Sequence, residues 1–224
     1  MNKIVSVALF LFIWIASCTD PVEVTYDSTS YSFSFGTLPN PDLPVDNPLT
    51  VEGVKLGRML FYETLLSKDN SQACASCHIQ KDGFSDLNQF SKGVEGKFGT
   101  RQAMPIFNMA WHNNGFFWDG RAPKLRDQAL KPIQDPLEMN ETLENVKGKL
   151  ANSQKYVDQF KRAFVNGTID DKNISFALEQ FMFSIVSYQS KYDQYKEGKA
   201  TLTDSEERGR QLFFTEFDPS GKIK

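Results

Sequence analysis

The sequence predicts a mostly α-helical chain, and three observations carry that expectation. After Pro48, apolar residues recur at three- and four-residue spacing. Several of these stretches open at Thr or Asn and close at Gly, the residues that cap helix starts and ends. The one alternating run, Tyr31, Phe33 and Phe35, offers a single short strand, and a strand without a partner is not stable.

The elements follow in order. "MNKIVSVALFLFIWIASC" has Lys3, an apolar run from Ile4 to Ile15, then Ala16-Ser17-Cys18. The run is too short to span a bilayer, which takes about 20 apolar residues, so residues 1–18 read as an export signal. The small residues before Cys18 resemble a lipobox, with Cys18 lipidated as the mature N-terminus; an ordinary cleaved signal with an incidental cysteine is the alternative. Residues 19–48 hold five of the ten prolines and many Ser, Thr and Asp, and read as an irregular tether.

Thr50 is placed to cap a helix with Leu56 and Leu60 on one face. The stretch around Gly93, Gly96 and Gly99 reads as turns, because a phosphate-binding loop would need a preceding strand. "PKLRDQAL" is expected as a short helix with Pro123 at its first position, and Pro132 and Pro136 break the chain again. Asn140 is expected to cap a helix to about Leu150, and "KYVDQFKRAF" follows, ending at Asn166-Gly167. A long helix is expected from about Lys172 to Glu197, with Ile174, Leu178, Phe181, Ile185, Tyr188 and Tyr192 on its apolar face and Gly198 at its end. Thr203 and Glu206 form a capping box before "RGRQLFF". With 25 basic and 28 acidic residues and no basic stripe, nothing points to nucleic acid.

The chemistry lies in "QACASCHIQ", residues 72–80. Cys74 and Cys77 flank two residues and His78 follows, the spacing that attaches a c-type haem through two thioethers with His78 as an axial iron ligand. A zinc half-site would need a second ligand pair, and a dithiol redox motif would need a βαβ pattern; neither is evident. Haem attachment after export agrees with the signal, and three cysteines are then used: Cys18 for lipid, Cys74 and Cys77 for haem. The localisation expected is periplasmic, with a lipid anchor to the membrane.

"LGRMLFYETLLSKDNSQACASCH", "FFWDGRA", "LRDQAL", "DPLEM" and "YDQYKEG…LTDSEERGRQLFF" occur in an order that resembles the bacterial diheme cytochrome c peroxidase family. The resemblance implies two cytochrome c-like domains. Residues 49–200 would be the N-terminal, peroxide-reacting haem domain, and 201–224 the start of a second domain, cut before its own CxxCH. It implies hydrogen peroxide as substrate, a small cytochrome c or cupredoxin as electron donor, Glu138 as distal acid, Gln128 as the amide that holds the oxygens, and Trp118 on the electron route. An interdomain calcium and a homodimer also occur in such enzymes, although "RQAMPIF" departs from the Arg-Asn-x-Pro run common there. The loop Ser91–Thr100 lacks the distal histidine of many relatives, which leaves His112, Met104 and Met109 as protein ligands or an open iron. Two other functions fit: a maturation-type oxidase acting on a partner protein, which also lacks that histidine, and a mono-haem electron carrier.

Overall fold

The computed structural model describes residues 23–215, so residues 1–22, with Cys18 and the expected export signal, lie outside the described part. Among the described residues there is no β-strand; eight α-helices are joined by long irregular segments. They are α1 (Val51–Phe61), α2 (Leu125–Ala129), α3 (Lys131–Gln134), α4 (Leu143–Ala151), α5 (Gln154–Ala163), α6 (Asp171–Ser184), α7 (Lys191–Lys196) and α8 (Asp204–Phe214).

The pair α1 and α6 forms the frame. Thr50 caps α1 by accepting from the Gly53 amide at 3.1 Å, and Asp170 caps α6 by accepting from the Asn173 amide at 2.8 Å. The two helices cross with their backbones nearly touching, because a Cβ on Gly57 would collide with the Ala177 carbonyl and one on Gly53 with the Gln180 side chain. The crossing buries Leu56, Leu60, Phe61, Ile174 and Leu178, each contributing roughly 1.5–3 kcal/mol. Phe61, at the end of α1, rests on Phe181 of α6 with ring centroids 5.2 Å apart.

The helix expected to run to Glu197 stops at Ser184. Beyond it the Asn108 amide N–H donates to the Ile185 carbonyl at 2.8 Å. The Asn108 side chain donates to the Ser187 carbonyl at 2.8 Å and accepts from the Ser187 amide at 2.7 Å. The β-branched pair Ile185-Val186 resists helix weakly, and these bonds replace the intrahelical ones. A separate helix, α7, then starts at a Ser190/Asp193 capping box and is followed by left-handed Gly198.

Two helix starts also shift. α4 is capped by Thr142, which accepts from the Asn145 amide at 3.2 Å. Asn140 instead adopts a left-handed φ of 48° and donates to Glu95 at 2.8 Å. α2 begins at Leu125 with Lys124 as cap, so Pro123 precedes the helix, and Pro132 sits in the first turn of α3, where no amide is missed.

Residues 23–48 carry no helix or strand and lie along the bundle. The Tyr31 amide donates to the Leu49 carbonyl at 3.0 Å, and the Trp111 indole donates to the Pro39 carbonyl at 2.7 Å. Tyr31, Phe33 and Phe35 form no strand; they cluster with Trp111 at centroid distances of 5.9–6.4 Å.

Candidate functional site

Cys74–Ser76 form one turn of 3₁₀ helix, and the amides of Cys77 and His78 both return to the Cys74 carbonyl, at 3.2 and 3.0 Å. This tight winding presents Cys74, Cys77 and His78 to one cavity lobe, floored by Phe61 and Leu178. Both thiols are free. Burial pushes the Cys74 thiol up to about 12 and raises Cys77 as well. Neither is the low-pKa thiolate that a redox-active dithiol presents.

After His78 the chain doubles back. Ile79 and Ser85 pair, Gly83 has φ 68° and Phe84 has φ 56°. A left-handed Phe is strained, and here it turns its carbonyl to accept from His78 Nδ1 at 3.1 Å. With the Nδ1 proton so engaged, the lone pair lies on Nε2. Burial also holds His78 below its ordinary pKa, which favours the neutral imidazole. Two half-buried thiols, an oriented neutral imidazole and an apolar-floored cavity fit the donor set of a covalently attached haem.

The main lobe has a volume of about 340 Å³ and is lined by His78, Met104, Met109, Trp118, Gln128 and Glu138. The structure thus brings the three residues named from the resemblance, Glu138, Gln128 and Trp118, to the cavity that His78 faces. They arrive by different means. Gln128 projects from the short helix α2. Glu138 sits on a turn tied by the Asp135 carboxylate, which accepts from the Leu137 amide at 2.8 Å. The Glu138 carbonyl accepts from the Val94 amide at 2.9 Å. Gly93 is obligatory beside it, since a Cβ there would strike the Leu137 carbonyl. Trp118 stands at the rim, 59% exposed, its indole donating to the Gln102 carbonyl at 3.0 Å.

Glu138 has an unusual acidity. Burial, followed by the negative charge of Asp135, pushes its carboxyl up to about 7, with Arg121 acting in the opposite sense. Such a group exchanges protons readily near neutral pH.

His112 is turned elsewhere: its Nε2 lies 2.7 Å from the Gly115 carbonyl and its ring packs on Phe116. Met104 and Met109, the other two candidate ligands, form part of the cavity wall.

Sequence reasoning missed Arg121, Phe84 and Asp135. Arg121 lines the cavity, lies 3.6 Å from the Phe117 ring centroid and is bonded to Asp119 at 2.9 and 3.2 Å. The arginine in "WDGR" was the available signal. Phe84 acts through backbone geometry, which leaves no compositional trace, and Asp135 acts through its carboxylate, which ties the Leu137 amide and faces Glu138 with a negative charge.

A family model described as "Di-haem cytochrome c peroxidase" matches residues 51–201. The methylamine utilization protein MauG of Methylophilus methylotrophus is 33% identical over 171 residues, covering 76% of this chain and 51% of that protein. Cytochrome c551 peroxidase of Nitrosomonas europaea is 35% identical, covering 74% of this chain and 50% of that one. The chain therefore spans about half the length of these relatives. Among solved structures, a MauG-like protein associated with microbial copper homeostasis superposes with a TM-score of 0.73 at 30% identity, over 83% of this chain and 55% of that one. The diheme peroxidase BthA of Burkholderia thailandensis, at 22% identity, shares the fold with a TM-score of 0.66 over 86% of this chain and 55% of its own.

Proposed function

The chain belongs to the di-haem cytochrome c peroxidase family, and we propose that it supplies the peroxide-reducing half of such an enzyme. The observation that carries this reading is the placement of His78, Gln128 and Glu138 on one cavity. Haem c, joined through Cys74 and Cys77 and ligated by His78, would supply the redox centre for reducing hydrogen peroxide to water by two electrons and two protons.

The chain's own residues do the rest. The Gln128 amide hydrogen-bonds the peroxide oxygens and holds them in place. Glu138 takes a proton from one oxygen and returns it to the other, so that water leaves as the O–O bond breaks. With its acidity near 7, the carboxyl is populated in both forms at neutral pH, as a group that must accept and donate requires. Trp118, exposed at the rim, offers a π-system between the cavity and a second haem domain, through which a small cytochrome c or cupredoxin would deliver electrons. Haem c is attached after export, which supports a periplasmic location, and Cys18 would tether the protein to the membrane.

The test is single-turnover mixing of the haem-loaded chain with peroxide. Glu138→Gln should slow the reaction by about 10²–10⁴-fold at unchanged haem content. An unchanged rate would remove Glu138 from the mechanism. Because no second histidine faces the cavity among the described residues, the ferric spectrum should contain a high-spin component. A purely low-spin spectrum, with no reaction toward peroxide, would identify Met104 or Met109 as a ligand and the protein as an electron carrier.

A second reading, an oxidase that withdraws electrons from a partner protein during its maturation, is favoured by the histidine-free loop Ser91–Thr100. A substrate screen on the full-length protein separates the two.

A further inference from the structure

α2 has five residues, too few to hold a helical register by themselves. Its partner is a buried charge cluster on its α6 side. Arg126 is 7% exposed. Its Nε donates to Glu179 at 3.0 Å, an Nη lies 2.8 Å from the other Glu179 oxygen, and its backbone amide donates to the same carboxylate at 3.3 Å. The outer guanidinium edge donates twice to Asp46, at 2.8 and 3.0 Å, and the plane lies 4.3 Å from the Phe176 ring centroid. Glu179, 1% exposed, also accepts from Asn47 at 2.8 Å. Asn47 in turn accepts from Gln180 at 2.8 Å.

A buried ion pair adds little net stability, since a well-packed apolar pair of similar volume often does as well. What this cluster contributes is geometry. A side chain with five directed donors, two of them on Glu179 and two on Asp46, together with the bonded Arg126 amide, leaves α2 one position and one rotation. Leu125 and Ala129 are then buried against the core, and Gln128 is left on the cavity wall.

We propose that Arg126 is a positioning residue for the distal pocket: clamped between Glu179 of α6 and Asp46 of the N-terminal arm, it aims the Gln128 amide into the cavity. This rests on the reading of Gln128 as the group that hydrogen-bonds a ligand above the iron.

The test uses fluoride, a probe that binds ferric haem and accepts hydrogen bonds, with the haem-loaded chain and its optical spectrum as readout. Arg126→Met alone would strand Glu179 in the core, so it is made together with Glu179→Met. Gln128→Leu should weaken fluoride binding about tenfold, the size of one hydrogen bond to a charged group. The Arg126→Met/Glu179→Met pair should do the same, yet add nothing in the Gln128→Leu background. Asp46→Asn, which loosens the clamp without unpairing a buried charge, should cost roughly threefold in affinity. It too should have no effect once Gln128 is Leu, and it carries the test if the pair replacement does not fold. Equal losses in both backgrounds, or undiminished affinity in the pair replacement and in Asp46→Asn, would overturn the proposal. If Gln128→Leu itself leaves fluoride binding unchanged, the role given to Gln128 fails and the proposal falls with it.

Discussion

Replacing Glu138 by Gln should raise the stability of the protein, and only above about pH 5. The carboxyl titrates at about 7 in the folded chain against an ordinary 4.5, so folding opposes its ionisation by roughly 3 kcal/mol. The side chain is half-buried rather than sealed, so water relieves part of this, leaving about 2 kcal/mol. The sign follows from proton counts. Below pH 4.5 the group is protonated in both states and contributes nothing to the difference. Between 4.5 and about 7 the unfolded chain releases its proton first, so stability falls as pH rises, and above 7 the penalty is constant. Glutamine cannot ionise and escapes that fall. Urea denaturation of the haem-loaded protein should therefore give superimposable midpoints at pH 4, and Glu138→Gln more stable by about 2 kcal/mol at pH 8. The same variant should be the catalytically slow one, so stability and reactivity move in opposite directions. A difference that does not change with pH, or a variant less stable at pH 8, would refute the assigned acidity.

Other consequences of the geometry are open to measurement. Gly57→Ala, which drives a methyl into the Ala177 carbonyl, should destabilise by about 1–3 kcal/mol in denaturant titration by overpacking the α1–α6 crossing. Phe84→Ile places a β-branched residue at φ 56°, which costs about 1–2 kcal/mol. It should also loosen the carbonyl that holds His78 Nδ1; the less electron-rich imidazole should shift the haem reduction potential upward in a redox titration, and an unchanged potential would show that the bond does not tune the iron. Changing both Cys74 and Cys77 to Ser should make any retained haem extractable with acidified acetone, whereas the parent chain stays coloured.

How much was legible depended on the range of the forces involved. The turn from Cys74 to His78 is local: two thiols and an imidazole within five residues state their geometry by spacing alone. The caps at Thr50 and Thr203 are equally local, and both hold. The end of α6 is not local. It is set by Asn108, bonded to Ser187 across 79 positions, and no periodicity within residues 172–197 reveals that latch. Asn140 and Thr142 are both good caps on propensity. The choice between them was made by the Asp135–Asn140 turn, which claims Asn140 for a left-handed corner.

The cavity residues show the same division. Trp118, Gln128 and Glu138 are ten apart, a spacing that no single helix can use across Pro123, Pro132 and Pro136. They were found by resemblance, and the structure supplies the physical reason they meet. α2 and α3 are short because prolines bound them, and short helices take their orientation from whatever they pack on. For α2 that is Glu179, 53 positions away from Arg126; for the Glu138 turn it is Val94 and the bare backbone of Gly93. A pocket built this way is tuned from outside itself. A substitution in the N-terminal arm at Asp46 or in the loop at Gly93 should therefore alter ligand binding without touching any residue that meets the ligand, whereas one on the outer face of α5 should not.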